Sequence, residues 1–142
     1  MPAIQRTAHS TWQGDLKSGK GTIDAPGSGV LKETPHTFAQ RFGDAKGTNP
    51  EELIAAAHAS CYSMAFSHHL SENGHVPESI TTKATVTLED GKIHKMHLET
   101  RGRVAGIDNA TFKRLAEEAE KKCPVSNLLR NGLTITLDAA LL

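Results

Sequence analysis

The sequence predicts an α+β fold built as a single domain over residues 1–142. Three observations predict it: strand-like segments broken by turn residues in the first forty positions, a long uncharged segment behind a helix-start signal, and two alternating segments meeting at Asp90-Gly91. A chain of this length buries a core but does not divide comfortably in two.

Strands are expected at residues 4–12, 19–23, 29–31 and 37–42, with Asp24-Ala25-Pro26-Gly27-Ser28-Gly29 the clearest loop among them. Asn49-Pro50-Glu51-Glu52 then places Asn at an N-cap, Pro at the first helical position and Glu at the third. That helix runs to about Glu72, where Asn73-Gly74 stops it. Within it, Leu53 to Ser71 carries no Asp, Glu, Lys or Arg over a length that could span a bilayer. Its three histidines and four serines among five alanines suit a central helix packed against protein instead, so no membrane partner is expected. A hairpin follows, residues 81–89 and 93–104, turned by Asp90-Gly91. Asp108 caps a second helix with its polar body at 113–122; Cys123-Pro124 breaks it, a short third helix covers 124–130, and a last strand covers 133–139.

Sixteen Lys plus Arg balance sixteen Asp plus Glu, which gives no reason to expect nucleic acid or another polyanion as partner. With twelve glycines added to a 37% hydrophobic content, the apolar share lies near the low edge of the ordinary range of about 45–50%. Two cysteines are too few for the disulfide scaffold of a small secreted protein but enough for a catalytic pair. The N-terminal residues lack the apolar run of a secretory leader, so the expected compartment is the cytoplasm.

Stepping 100° per residue along the long helix puts Leu53, Ala57, Cys61, Met64 and His68 on one stripe, so Cys61 is expected to face apolar packing. It is then either an inert buried thiol or a nucleophile. Lying about three turns into the helix, beyond the reach of the macrodipole, a thiolate there needs a cation from elsewhere, with His58 and Arg41 the candidates. Cys123 falls at a helix junction that looks exposed, where backbone N–H groups favour a thiolate but a plain capping residue fits equally well. Glu51 and Glu52 are both explained by dipole and capping-box roles. Four of the six aromatics flank these positions, Phe38 and Phe42 beside Arg41 and Tyr62 and Phe66 beside Cys61, which suggests either a pocket or core packing. His58 and Cys61 share a helix face, but His68 lies about 10 Å further along the axis and no four-ligand set forms, so no metal is expected. The glycines around Lys20 and Ser28 lack the spacing of a phosphate loop.

Taken in order, Gln40-Arg41-Phe42, the run from Gly47-Thr48-Asn49-Pro50-Glu51-Glu52 through Ala57-His58-Ala59-Ser60-Cys61, and Lys122-Cys123-Pro124-Val125-Ser126 resemble the osmotically inducible protein C and organic hydroperoxide resistance family. His9-Ser10-Thr11-Trp12-Gln13-Gly14, Gly19-Lys20-Gly21-Thr22 and Gly106-Ile107-Asp108 resemble its osmotically inducible protein C branch. The resemblance implies antiparallel sheets around central helices in an intertwined homodimer, and a stress-defence peroxidase reducing organic hydroperoxides without metal, haem or flavin. It implies Cys61 as peroxidatic cysteine, Cys123 as resolving cysteine, Arg41 as the activator of the thiolate and Glu51 as the carboxylate that orients Arg41. An external dithiol, such as a lipoylated protein, is the implied reductant. Phe38, Phe42, Tyr62, Met64 and Phe66 are the expected walls of the substrate pocket.

Glu51 and Cys61 stand ten residues apart, about 15 Å along a continuous helix. Either the helix is interrupted, the arginine reaches across, or the pair serves Cys61 of a second subunit, the arrangement the resemblance favours. Two rival functions make different predictions: a non-catalytic ligand-binding protein tolerates Cys61→Ser, and a metal-dependent hydrolase using His58 and Cys61 binds metal.

Overall fold

The computed structural model describes residues 1–132 and Thr136. Two compact units are present, Met1–Leu53 and Ile54–Leu142. Helices and antiparallel strands alternate through both, the α+β composition expected.

In the first unit, β1 (His9–Gln13), β2 (Lys20–Asp24) and β3 (Thr34–His36) form an antiparallel sheet in that order. The Asp15 carboxylate closes the β1–β2 turn by accepting from the backbone N–H groups of Lys17 and Ser18, both at 2.9 Å. Residues 29–31, expected as a strand, belong instead to a loop in which Gly29 N–H donates to Ala25 O and Ala25 N–H to Leu31 O. With the chain held in that loop, the third strand forms only at Thr34.

Residues 37–42, also expected as a strand, turn into helix α1 (Phe38–Phe42). The Thr37 hydroxyl accepts from Gln40 N–H and caps the turn, and the helical spacing brings Phe38 and Phe42 onto one face with ring centroids 4.9 Å apart. Two aromatics four residues apart serve a helix as readily as a strand, and the cap decides.

Helix α2 (Pro50–Glu72) begins where the sequence places it: Asn49 Oδ1 accepts from Glu52 N–H at 2.8 Å. In the second unit, α2 is followed by β4 (Ser79–Glu89) and β5 (Lys92–Arg103), which pair antiparallel with a bulge at Thr87/Leu88. Asp90 and Gly91, at φ 50° and 73°, make the mirror-image turn that suits the strands' twist. Then come α3 (Asn109–Lys122), capped by Asp108 accepting from Thr111 N–H at 2.7 Å, and α4 (Pro124–Asn131). The expected strand at 133–139 lies outside the described residues apart from Thr136.

The core of this unit joins Tyr62, Phe66 and Leu70 of α2 to Leu115 and Ala119 of α3 and to Cys123. Phe66 meets Phe112 edge-on at 5.0 Å, and the Tyr62 hydroxyl donates to Ala116 O at 2.9 Å. The buried face of α2 is therefore His58, Tyr62, Phe66, His69 and Leu70. This corrects the expected stripe, of which Ala57, Met64 and His68 are exposed. Alanines and apolar residues lie on every side of α2, so its pattern singles out no face; packing against Phe112 and Leu115 of α3 and Ile80 and Leu98 of the hairpin chooses it. Among the described residues, no helix is long and apolar enough to cross a membrane.

Candidate active site

The four residues singled out by the sequence form two pairs, one in each unit. In the first, Arg41 lies in the last turn of α1 and Glu51 in the opening turn of α2. The intervening segment is folded back by its own polar groups: Gln40 Nε2 donates to Lys46 O at 2.9 Å, and Asn49 Nδ2 to Gln40 O at 3.3 Å. Arg41 then approaches Glu51 side-on, Nε donating at 3.1 and 3.3 Å to the two carboxylate oxygens and Nη2 at 2.7 Å to Oε1. The guanidinium lies 5.1 Å from the centroid of the Phe42 ring. The Arg41 side chain is 37% exposed and that of Glu51 12%. Arg41 holds the Glu51 carboxyl below its ordinary value of 4.5 against the opposing effect of burial.

Glu52, next in the chain, does something else. It accepts from the Thr48 hydroxyl at 2.8 Å, so the two adjacent glutamates have separate partners. A small cleft of about 140 Å³ opens beside Arg41, with Trp12, Leu16, His36, Phe38 and Phe42 among its walls. Trp12 and His36 belong to this cleft and were not anticipated. They are brought together by strand register: both lie across from Gly21, where a Cβ would sit 2.7 Å from the indole and 2.3 Å from the imidazole. With glycine there the rings meet edge-on at 5.2 Å. Register of this kind is invisible in the sequence before the third strand has been located.

In the second unit, Cys61 Sγ and Cys123 Sγ are 3.6 Å apart, with both thiols unbonded. Cys61 is partly exposed. Cys123 is fully buried, which corrects its reading as an exposed junction: it closes α3 and opens α4 beneath α2, within the core cluster. Burial pushes the Cys61 thiol above its ordinary 9.0; the Val125 backbone N–H opposes this, and the adjacent Cys123 adds to it. This unit thus holds a nucleophile and its partner at contact distance, and among its described residues no cation is found to favour the Cys61 thiolate.

Of the expected pocket walls, Phe38 and Phe42 line the Arg41 cleft, whereas Tyr62 and Phe66 are core residues, 3% and 0% exposed. Met64 is 72% exposed. His58 does not combine with Cys61 as a metal site; its Nε2 lies 2.7 Å from Ser126 Oγ. Among the described residues, no group of three or more His, Cys, Asp or Glu could hold a metal ion.

A family profile described as OsmC-like protein matches residues 43–138. Peroxiredoxin OsmC of Escherichia coli strain K12 is 45% identical over 136 residues, covering 93% of this chain and 94% of that protein. The organic hydroperoxide resistance protein of Xanthomonas axonopodis pv. citri is 30% identical over 138 residues, 94% of each chain. Among solved structures, the organic hydroperoxide resistance protein OhrB of Bacillus subtilis matches with a TM-score of 0.58 at 26% identity, covering 89% of this chain and 92% of that one. The organic hydroperoxide resistance protein of Elizabethkingia anophelis matches with 0.63 at 26%, covering 93% of each. The chain belongs to the OsmC-like protein family, with greater identity to the peroxiredoxin OsmC relative than to the organic hydroperoxide resistance relative.

Proposed function

We propose that this protein is a thiol peroxidase that reduces organic hydroperoxides to alcohols in hydroperoxide defence, using Cys61 and Cys123. The observation that carries the reading is the 3.6 Å separation of the two sulfurs. A disulfide needs about 2.05 Å, so closure asks for a movement of about 1.5 Å. Cys61 thiolate attacks one peroxide oxygen, the O–O bond breaks, and the alkoxide takes a proton to leave as alcohol. The resulting sulfenic acid condenses with the Cys123 thiol, releasing water and forming the disulfide. An external dithiol, such as a lipoylated protein, then reduces it by exchange.

Arg41 supplies the positive charge. Its Nε and Nη2 are committed to Glu51, while Nη1 has no hydrogen-bond partner among the described residues and can donate to thiolate and departing oxygen. Phe38 and Phe42, with Trp12, give the cleft an apolar side suited to an organic substituent. Tyr62 and Phe66 support Cys61 from the core.

The working unit in this reading is a homodimer, with each chain contributing one OsmC-like domain. Ten residues of sequence separate Glu51 from Cys61, about 15 Å of continuous helix. The Arg41–Glu51 pair of one subunit therefore serves Cys61 of the other, and the exposed face of α2, with Ala56, Ala57, Ser60 and Met64, is narrow enough for close helix packing. A thiol pair reset by dithiols fits a cytoplasmic location.

Intact mass after one equivalent of cumene hydroperoxide tests the chemistry. Wild type loses two hydrogens and Cys123→Ser gains one oxygen on Cys61; an unchanged mass in both rejects the reading. Mixing Arg41→Ala with Cys61→Ser subunits tests the shared site: random exchange restores about a quarter of wild-type turnover, and none if each site is built within one subunit.

A further inference from the structure

We propose that His58 is a positioning residue for the thiol pair: through Ser126 it clamps the first turn of α4 against α2 and so sets the approach of both Val125 N–H and Cys123 to the Cys61 sulfur. The proposal deepens the peroxidase reading and rests on it.

His58 and Cys61 are three residues apart on α2, one turn of helix. Ser126 and Cys123 are likewise three apart, Cys123 at the N-cap of α4 and Ser126 in its first turn. Two contacts therefore run side by side between the same two stretches of chain: Cys61 to Cys123 at 3.6 Å, and His58 Nε2 to Ser126 Oγ at 2.7 Å. Among the described residues, His58–Ser126 is the only hydrogen bond between two side chains that joins α2 to α4. Of the other bonds reaching α4, two tie it to α3, Asn127 Nδ2 donating to Lys121 O at 3.0 Å and Arg130 pairing with Glu120, and the Val125 N–H meets the Cys61 sulfur of α2.

The imidazole is not there to satisfy itself. His58 is 4% exposed, its Nδ1 is buried without a partner among the described residues, and burial lowers its tendency to carry charge. A neutral ring keeps one nitrogen orphaned for the sake of the bond made by the other. Ser126 is 3% exposed, so water does not compete for that bond. The N-cap itself gives the turn no help, because Cys123 makes no side-chain capping bond. The buried His58–Ser126 bond adds a lateral tether to the packing of Cys123 and Val125, and its loss would let the α4 N-terminus drift from Cys61, where a movement of about 1.5 Å separates contact from covalent bond.

The test uses full-length protein carrying His58→Leu, which removes the bond at similar volume, His58→Gln, whose amide reaches near the Nε2 position, and Ser126→Ala. Two quantities are read: the thiolate absorbance of Cys61 against pH in a Cys123→Ser background, and the rate of disulfide closure after a pulse of cumene hydroperoxide with both cysteines present. His58→Leu and Ser126→Ala each raise the Cys61 pKa by about one unit and slow closure about tenfold. The double variant is no worse than either single one, and His58→Gln recovers most of both effects. Unchanged titration and closure in folded Ser126→Ala overturn the proposal, as do additive effects in the double variant. The titration needs no peroxide, so it judges His58 even if wild type fails to react with the hydroperoxide, the result that would remove the peroxidase reading instead.

Discussion

Replacing Glu51 by glutamine separates a structural role of the Arg41–Glu51 pair from a chemical one. The pair has three contacts, at 3.1, 3.3 and 2.7 Å, and the glutamine keeps the shape while losing the charge. An amide oxygen at the Oε1 position can still accept from Nη2 and Nε, but the NH₂ group at the Oε2 position faces the Nε–H, donor against donor, and the charge that holds the guanidinium is gone. Stability should hardly notice. With Arg41 37% exposed the pair is screened by water, and exposed pairs of this kind contribute about 0.2–1 kcal/mol. The chemical cost is larger, because charge-assisted hydrogen bonds that aim a catalytic group are worth about 1.5–3 kcal/mol, or roughly 10–100-fold in rate. The expected result is kcat/KM for cumene hydroperoxide reduced about 10–100-fold in Glu51→Gln and about 10²–10³-fold in Arg41→Ala. Because Glu51 acts through Arg41, the double variant should match Arg41→Ala alone. Stopped-flow turnover alongside a thermal melt decides it. Turnover within threefold of wild type in Glu51→Gln, or a double variant that multiplies the two losses, would refute the reasoning.

Other outcomes follow from the same geometry. Burial raises the Cys61 thiol, and in the proposed dimer Arg41 of a second subunit opposes it, so the thiol of Arg41→Ala should titrate above that of wild type; equal values by thiolate absorbance would mean that Arg41 does not touch the thiol. On the acid side, Glu51 is held below 4.5, so the stabilisation its ionised form gives is complete above 4.5 and lost only as pH falls through the lower folded value. The stability loss on Glu51→Gln should accordingly be constant from neutrality to about pH 5 in urea titrations and shrink at lower pH. Phe66→Ala removes a side chain with no exposure that packs on Tyr62 and Phe112, and should cost about 3–5 kcal/mol in urea unfolding, with the midpoint moving and the slope little changed. Asn49→Ala deletes the acceptor for Glu52 N–H and should cost about 1 kcal/mol, together with a fall in turnover because the helix start that carries Glu51 frays.

Features encoded within four or five residues were legible in the sequence. The Asn49-Pro50 start, the Asp90-Gly91 turn and the Asp108 cap all appear where local chemistry places them, since the two caps are short-range bonds between a side chain and nearby backbone and the turn needs only two adjacent residues at positive φ. Features that depend on partners distant in sequence were not. Nothing local tells Phe38 and Phe42 whether to form helix or strand, and the mostly alanine and apolar α2 could have buried any face. Cys123 looked exposed because a helix junction usually is, whereas here α2 covers it.

The two adjacent glutamates show where the boundary lies. By composition and position both are good residues for a helix start, and pattern alone cannot rank them. They point about 100° apart around the helix axis, and each meets what the preceding loop offers on its side. Glu52 finds the Thr48 hydroxyl four residues back, which the local chain always supplies. Glu51 finds Arg41 ten residues back, which is there only because Gln40 reaches to Lys46 O and Asn49 reaches to Gln40 O, folding α1 onto the start of α2. A capping residue needs only its own backbone, but a residue that orients a guanidinium needs a loop built to deliver one. Disrupting that loop while leaving both charges in place, as Gln40→Ala does by removing the side-chain bond to Lys46 O, should therefore lower turnover in the manner of Glu51→Gln, and full activity in folded Gln40→Ala would show that Arg41 finds Glu51 without it.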